Sequence, residues 1–295
     1  MDFLRFLAEL RTPFGDAFFG FVTHGGEELI LMGIMCICYW CIDKRFAYRL
    51  AFPYFFAGVT VQGLKVICRV PRPWIKDPNF KPVESAVAAA TGYSFPSGHT
   101  FSATVLCTSF ALKTKKIAWR VLWFVCMILV MLSRMYLGCH TPQDVLVSCA
   151  ICLTITIVCN KLIDKIKVTD KNRIYIALAV AGYTLITLIY SGILYLVDYV
   201  TLDNTQDVFK TAGAGLAFAI CWYIETKKID FNPKACSLPM QVLKVAIGVV
   251  GLLAFKEGMK PIIGESLIAN FFRYFMMVFW AMGAYPVLIK RFFNK

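Results

Sequence analysis

The sequence predicts an all-α polytopic membrane helical bundle with about nine spans and an N-terminal interfacial helix. Three observations carry that expectation. Of the 295 residues, 59% are hydrophobic and only 17% charged, with a mean hydropathy of +0.65, whereas a soluble domain carries about a quarter charged residues. Apolar runs approaching the roughly 20 residues that cross a hydrocarbon core recur along the whole length, with no polar domain between them. The charges collect in short loops between those runs.

Taken in order, Asp2, Arg5 and Glu9 recur at helical spacing against Phe3, Leu4, Phe6, Leu7 and Leu10, which describes a helix in the membrane interface until Pro13 and Gly15 stop it. Nine candidate spans follow, at 28–42, 50–67, 99–112, 118–137, 145–163, 174–197, 208–224, 242–255 and 267–289. The loops DKRFAYR, KTKKIAWR, DKIKVTDKNR, TKKIDFNPK and the tail KRFFNK are basic and fall on one side of this count. Between them, GCHTPQ has no Lys or Arg, DYVTLDNTQD is acidic and KEGMKPIIGE is balanced. The positive-inside rule therefore puts the basic set and the C-terminus in the cytoplasm and the others outside. The 68–98 loop breaks the pattern, because Arg69, Arg72, Lys76 and Lys81 lie on the outer side, where topology does not explain them. The expected organisation is an interfacial segment at 1–25, a core bundle at 26–200 and additional C-terminal spans at 201–295.

Composition also excludes some functions. The net charge of +13 is spread over short loops, which argues against a nucleic-acid partner, and the 25 Phe and 13 Tyr read as lipid-facing packing rather than base-stacking platforms. Most of the twelve cysteines lie inside apolar runs, as Cys36, Cys38, Cys41, Cys149, Cys152 and Cys159 do, and read as reduced small hydrophobes. Cys68 and Cys139 sit near span ends on one face, which leaves a disulfide open. No CxxC pair with a second pair or histidines appears, so neither a metal nor a cofactor is expected. The start MDFLRFLAELRTPFGD lacks a basic opening followed by a clean apolar core, so no cleaved signal peptide is expected.

The chemistry-bearing residues fall in three stretches. In LKVICRVPRP, Lys65 and Arg72 flank the outer end of the second span. An ionisable group at that depth usually faces a polar cavity, although a snorkelling lysine accounts for Lys65 taken alone. In GYSFPSGHTFSA, Ser97 caps the next helix, Gly98 lets backbone approach a ligand, and His99 stands beside the helix start as a proton donor. In SRMYLGCHTPQD, Arg134 ends the fourth span, six residues before His140, and Asp144 lies four after it. Thr141 and Pro142 suit a helix N-cap and first position, which puts Asp144 in the first turn, close to His140. A carboxylate there holds one imidazole nitrogen as N–H and leaves the other free to attack. Together these residues describe a metal-free phosphoryl-transfer centre. His140 attacks phosphorus, His99 protonates the departing oxygen, and Lys65, Arg72 and Arg134 with the Ser97 and Gly98 backbone hold the remaining oxygens.

The pattern K65-x6-R72-P73, P96-S97-G98-H99 and S133-R134-x5-H140-x3-D144 resembles the three signature motifs of the type 2 phosphatidic acid phosphatase family, with all eleven specified positions matching in order. The resemblance covers roughly 18–163. It implies a helical-bundle membrane fold, metal-independent phosphomonoesterase or diphosphatase activity and a phosphohistidine intermediate. The nine-span layout is further similar to the branch containing sphingosine-1-phosphate phosphatases and glucose-6-phosphatases.

The function expected is hydrolysis of a lipid phosphate or diphosphate at the outer membrane face, with phosphatidate, lysophosphatidate, isoprenoid diphosphate and sphingoid phosphates as candidate substrates among the membrane lipids. Transfer of the phosphoryl group to another lipid or sugar uses the same residues. A transporter or flippase that binds lipid phosphate without cleaving it has no evident use for an Asp-oriented histidine. The cysteines and the lack of a targeting segment favour a bacterial plasma membrane, and an endoplasmic-reticulum enzyme would present its site equivalently in the lumen. No pattern specifies an oligomeric state. His24 in its Gly-rich turn reads as a loop histidine, with Glu27 and Glu28 as first-turn acids.

Overall fold

The computed structural model describes residues 1–88 and 90–293; Asn294 and Lys295 of the basic tail lie outside the described residues. Among the described residues there are helices and no strands. In chain order the α-helices are α1 Asp2–Glu9, α2 Pro13–Thr23, α3 Glu28–Ile37, α4 Lys44–Cys68, α5 Pro73–Lys76, α6 Gly98–Lys113 and α7 Ile117–Tyr136. They continue with α8 Pro142–Lys165, α9 Asp170–Leu196, α10 Leu202–Ile224, α11 Leu238–Leu253, α12 Lys260–Ile263, α13 Leu267–Phe279 and α14 Tyr285–Phe292.

Side-chain caps set several of these starts. Thr12 Oγ1 accepts from the Gly15 amide at 3.1 Å ahead of Pro13, Thr169 Oγ1 from the Asn172 amide at 3.2 Å, and Ser266 Oγ from the Ala269 amide at 3.2 Å. Each satisfies one of the orphan donors of a helix N-terminus.

Each of the nine expected runs coincides with a helix. Among the described residues six stretches are long and apolar enough to cross a membrane: Lys44–Lys76, Ile117–Tyr136, Pro142–Lys165, Asp170–Leu196, Leu238–Ile263 and Leu267–Phe292. The pair Pro13–Gly26 and Glu28–Ile42, bent by 47°, makes seven if read as one broken span. Two expected spans fall short of that test. At 16 residues, α6 buries small polar side chains such as Ser102, Thr104 and Ser109 rather than presenting an apolar face to lipid, and α10 opens on the polar turn LDNTQD. The chain is a multi-pass membrane protein.

Two compact units divide the chain: Met1–Gly33 with Phe52–Lys161, and Ile34–Ala51 with Leu162–Lys295. In the first, Leu4, Phe80, Cys107, Met127, Met131, Met135 and Val145 form one core cluster, and Ala57, Val61, Phe101, Val105 and Cys152 another. The helix expected to lie in the interface is amphipathic in an unexpected way. Leu4 is fully buried in that first cluster, Arg5 pairs with Asp77 at 2.6 Å, and Phe3, Phe6 and Leu10 stay exposed. In the second unit α10 packs against α9 and α13. Buried Glu225 there accepts from Lys44 Nζ at 2.9 Å and from the Tyr48 hydroxyl, which removes the cost of an unpaired charge.

Candidate active site

Every residue singled out for phosphate chemistry lies in the first unit. At the end of α4, Lys65 is buried in the last turn, and Arg69 takes a left-handed conformation, φ 49°, that turns the chain out of the helix. The segment then runs extended into Arg72, and the amide of Ser94 donates to the Val70 carbonyl at 2.8 Å, tying the approach to α6 to the exit from α4. Buried Arg72 spreads its guanidinium over four acceptors. Nε donates to the Gly92 carbonyl at 3.1 Å, Nη2 to Thr91 at 2.6 Å, and Nη1 to both the Cys139 carbonyl at 3.1 Å and Nε2 of His140 at 2.9 Å.

The starts of α6 and α8 are stitched together. Ser97 Oγ accepts from Thr100 N at 3.4 Å and Thr100 Oγ1 at 3.0 Å; its amide donates to the Asp144 carbonyl at 3.1 Å and its carbonyl accepts from Ser148 Oγ at 2.8 Å. Two helix N-termini, each carrying partial positive charge, thus meet at one place. A Cβ on Gly98 would lie in ordinary van der Waals contact with Lys65 Nζ, 3.8 Å away, which puts that ammonium beside the start of α6.

His99 sits against Gly26, where an added Cβ would be 2.7 Å from the His99 carbonyl oxygen. Its Nε2 is buried with no hydrogen-bond partner, and the ring feels the charge of Arg134, His140, Lys65 and Arg72. Arg134 is buried in the same way. Nη1 donates to Thr23 Oγ1 at 2.9 Å, while Nε and Nη2 are buried without a partner. Leaving charged donors unsatisfied in a buried site is costly, and the position invites an anion.

His140 owes its place to a turn. Gly138, with φ +79°, lets the amides of Cys139 and His140 fold back on the Arg134 carbonyl at 3.0 and 3.3 Å, and a side chain there would strike Arg11 and Phe80. Burial, and then the charge of Arg72, hold the His140 imidazole below the ordinary histidine range, with Asp144 opposing. Asp144 makes a reciprocal cap with Thr141: Oδ2 accepts from the Thr141 amide at 2.8 Å while Thr141 Oγ1 faces the Asp144 amide at 3.4 Å.

Sequence reasoning has Asp144 holding His140 directly. In the structure Asp144 Oδ2 stands 3.7 Å from Nδ1, longer than a hydrogen bond, and Ser94 stands beside both, donating to Oδ2 at 2.6 Å with its Oγ 3.4 Å from Nδ1. Ser94 and Thr23 are the two site residues that motif spacing missed. The available signals were weak: a hydroxyl two residues before Pro96, and a threonine ahead of a Gly-rich turn. His24 is exposed and pairs with Glu27 at 2.6 Å. Cys68 is an exposed thiol and Cys139 a buried one, both free. Among the described residues no group of three or more His, Cys, Asp or Glu is spaced to hold a metal.

Residues 46–167 match the PAP2 superfamily, and residues 209–294 match a second family described as PAP2 superfamily phosphatase, transmembrane extension. The chain is 26% identical over 267 residues to sphingosine-1-phosphate phosphatase 1 of Rattus norvegicus, covering 83% of this chain and 59% of that protein. It is 26% identical over 263 residues to sphingosine-1-phosphate phosphatase 1 of Mus musculus, covering 81% and 58%. The chain thus spans about three fifths of the length of these curated relatives. No solved structure matches it. The motif residues all fall inside the 46–167 match, whereas Thr23 and Gly26 lie outside it.

Proposed function

This chain belongs to the PAP2 superfamily, and from that premise we propose that it is a metal-independent membrane phosphatase. It hydrolyses a long-chain lipid phosphate through a phosphohistidine on His140. The observation that carries this reading is the set of buried, unpartnered nitrogens on Arg134 and His99 together with His140, whose ring nitrogens face Arg72 and Ser94. That arrangement suits one tetrahedral anion approached by one nucleophile.

The lone pair of His140 Nε2 attacks phosphorus, the ester P–O bond breaks with its electron pair on the alcohol oxygen, and His99 supplies the proton that oxygen needs. Arg134 Nε and Nη2, the Lys65 ammonium and the amides at the start of α6 hold the three equatorial oxygens as charge develops. Water then attacks the phosphoramidate, His99 takes its proton back, and the P–N bond electrons return to Nε2. A site that only bound lipid phosphate would need the cations but not a neutral imidazole aimed at them.

Phosphatidate, isoprenoid diphosphate and sphingoid phosphates all present the chemistry this site takes; the curated relatives are named for sphingosine 1-phosphate. The basic loops support an orientation with the site on the extracytoplasmic face of the membrane and the C-terminus in the cytoplasm. Purified protein in detergent with EDTA should release inorganic phosphate from short-chain members of this panel, and His140→Ala should abolish release. Activity that disappears with the chelator and returns with a divalent cation refutes the metal-free route.

A further inference from the structure

We propose that Ser94 positions the nucleophile: its hydroxyl links the Asp144 carboxylate to Nδ1 of His140 and so fixes the ring tautomer in which Nε2 carries the reactive lone pair. The inference rests on the phosphatase reading above and deepens it.

Proton counting carries the assignment. Ser94 is buried, and its single hydroxyl proton is committed to Asp144 Oδ2 at 2.6 Å, a short charge-assisted bond. A contact between Ser94 Oγ and His140 Nδ1, at 3.4 Å, is then attractive only if Nδ1 bears the proton and donates to the oxygen. The other ring nitrogen gives the same answer independently. Arg72 has no acceptor atoms, so its Nη1 at 2.9 Å from Nε2 requires Nε2 to be the acceptor. Two separate partners on opposite edges of the ring thus demand the Nδ1–H, Nε2-lone-pair form. Asp144 alone does not supply this, because its oxygen lies 3.7 Å from Nδ1 and its nearer bonds go to Ser94 and the Thr141 amide.

During turnover Nδ1 keeps its proton throughout. When Nε2 bonds to phosphorus the ring gains positive charge, and Nδ1–H polarises toward Ser94 Oγ while the hydroxyl polarises toward the carboxylate. No proton leaves this chain of groups, so the electron and proton balance of the hydrolysis stays as written above. A purely structural role for Ser94 is already filled by its backbone, whose amide bonds the Val70 carbonyl whatever the side chain.

The test combines kinetics with the ring itself. Three histidines make selective ¹⁵N-imidazole labelling readable. In the phosphate-free protein the His140 ring should show a protonated Nδ1 and an unprotonated Nε2. Ser94→Ala should lower kcat about 10–100-fold, as loss of partners that orient an imidazole does elsewhere, leave KM within about twofold, and shift His140 toward a mixture of tautomers. Ser94→Thr, which keeps the hydroxyl, should restore most of kcat and the wild-type tautomer, and separates this role from a folding defect. The inference is overturned if Ser94→Ala matches the wild type in kcat and in ring tautomer while His140→Ala is inactive; the phosphatase reading then stands. If His140→Ala keeps full turnover, the phosphohistidine reading and this inference fall together.

Discussion

Arg72 Nη1 lies 2.9 Å from His140 Nε2, so a guanidinium covers the atom proposed to attack phosphorus. The same side chain reaches the carbonyls of Thr91, Gly92 and Cys139, which locks its plane and leaves an incoming phosphoryl group to take over the Nη1 contact. A lysine cannot reproduce that fork, because an ammonium is a point charge on a flexible stem. Arg72→Lys is therefore expected to lower turnover on the order of 10²–10³-fold, as removal of one preorganised donor does at oxyanion sites. Steady-state release of phosphate from a short-chain phosphatidate measures it, and a loss under threefold would show that the fork is dispensable.

Thr23 holds Arg134 from outside the family-matched region, through Nη1 at 2.9 Å. Thr23→Val keeps the volume and removes the acceptor, leaving a third buried guanidinium nitrogen without a partner. Turnover should fall about tenfold, consistent with about 1–3 kcal/mol for an unsatisfied buried donor. Thr23→Ser should recover it. Equal activity in the Val and Ser variants would show that α2 does not aim the arginine.

Gly26 leaves no room for a methyl group against the His99 carbonyl and Val130. Gly26→Ala should destabilise the protein by about 1–3 kcal/mol through overpacking and lower kcat by moving His99. A thermal-unfolding midpoint and kcat both unchanged from wild type would contradict the contact.

The pH dependence follows from His140. Its proton affinity is depressed by burial and by Arg72, so below the ordinary histidine pKa of about 6.5 the unfolded chain binds a proton that the native ring refuses. The stability tied to the neutral ring is complete above about pH 6.5 and is lost as pH falls from there toward the native pKa. Unfolding midpoints from pH 7.5 to 5 should drop more steeply for the wild type than for His140→Asn. Parallel curves would mean that the ring titrates normally.

Much of this was legible in the sequence. Apolar runs locate the helices because a chain in lipid must satisfy its backbone internally, and the motif spacings single out Lys65, Arg72, Ser97, Gly98, His99, Arg134, His140 and Asp144, all of which lie in the first unit. The capping chemistry of Thr141 and Pro142 put Asp144 in the first turn of α8, where it is found. Sequence does not reveal that the link from Asp144 to His140 runs beside Ser94, because Ser94 and Asp144 are 50 residues apart and no local period marks the pair. Thr23 was invisible for a related reason: its partner Arg134 is 111 residues away, and no local period marks the pair. The span count suffered from treating helices as spans, since α6 is a helix that buries hydroxyls rather than an apolar surface.

The most direct measurement is the intermediate itself. Rapid quenching of the protein with ³²P-labelled short-chain phosphatidate in EDTA should leave label on the chain that is stable in alkali, labile in acid, and absent from His140→Ala. Phosphate release at wild-type rate with no labelled protein at any quench time, or label that persists in His140→Ala, would contradict the account.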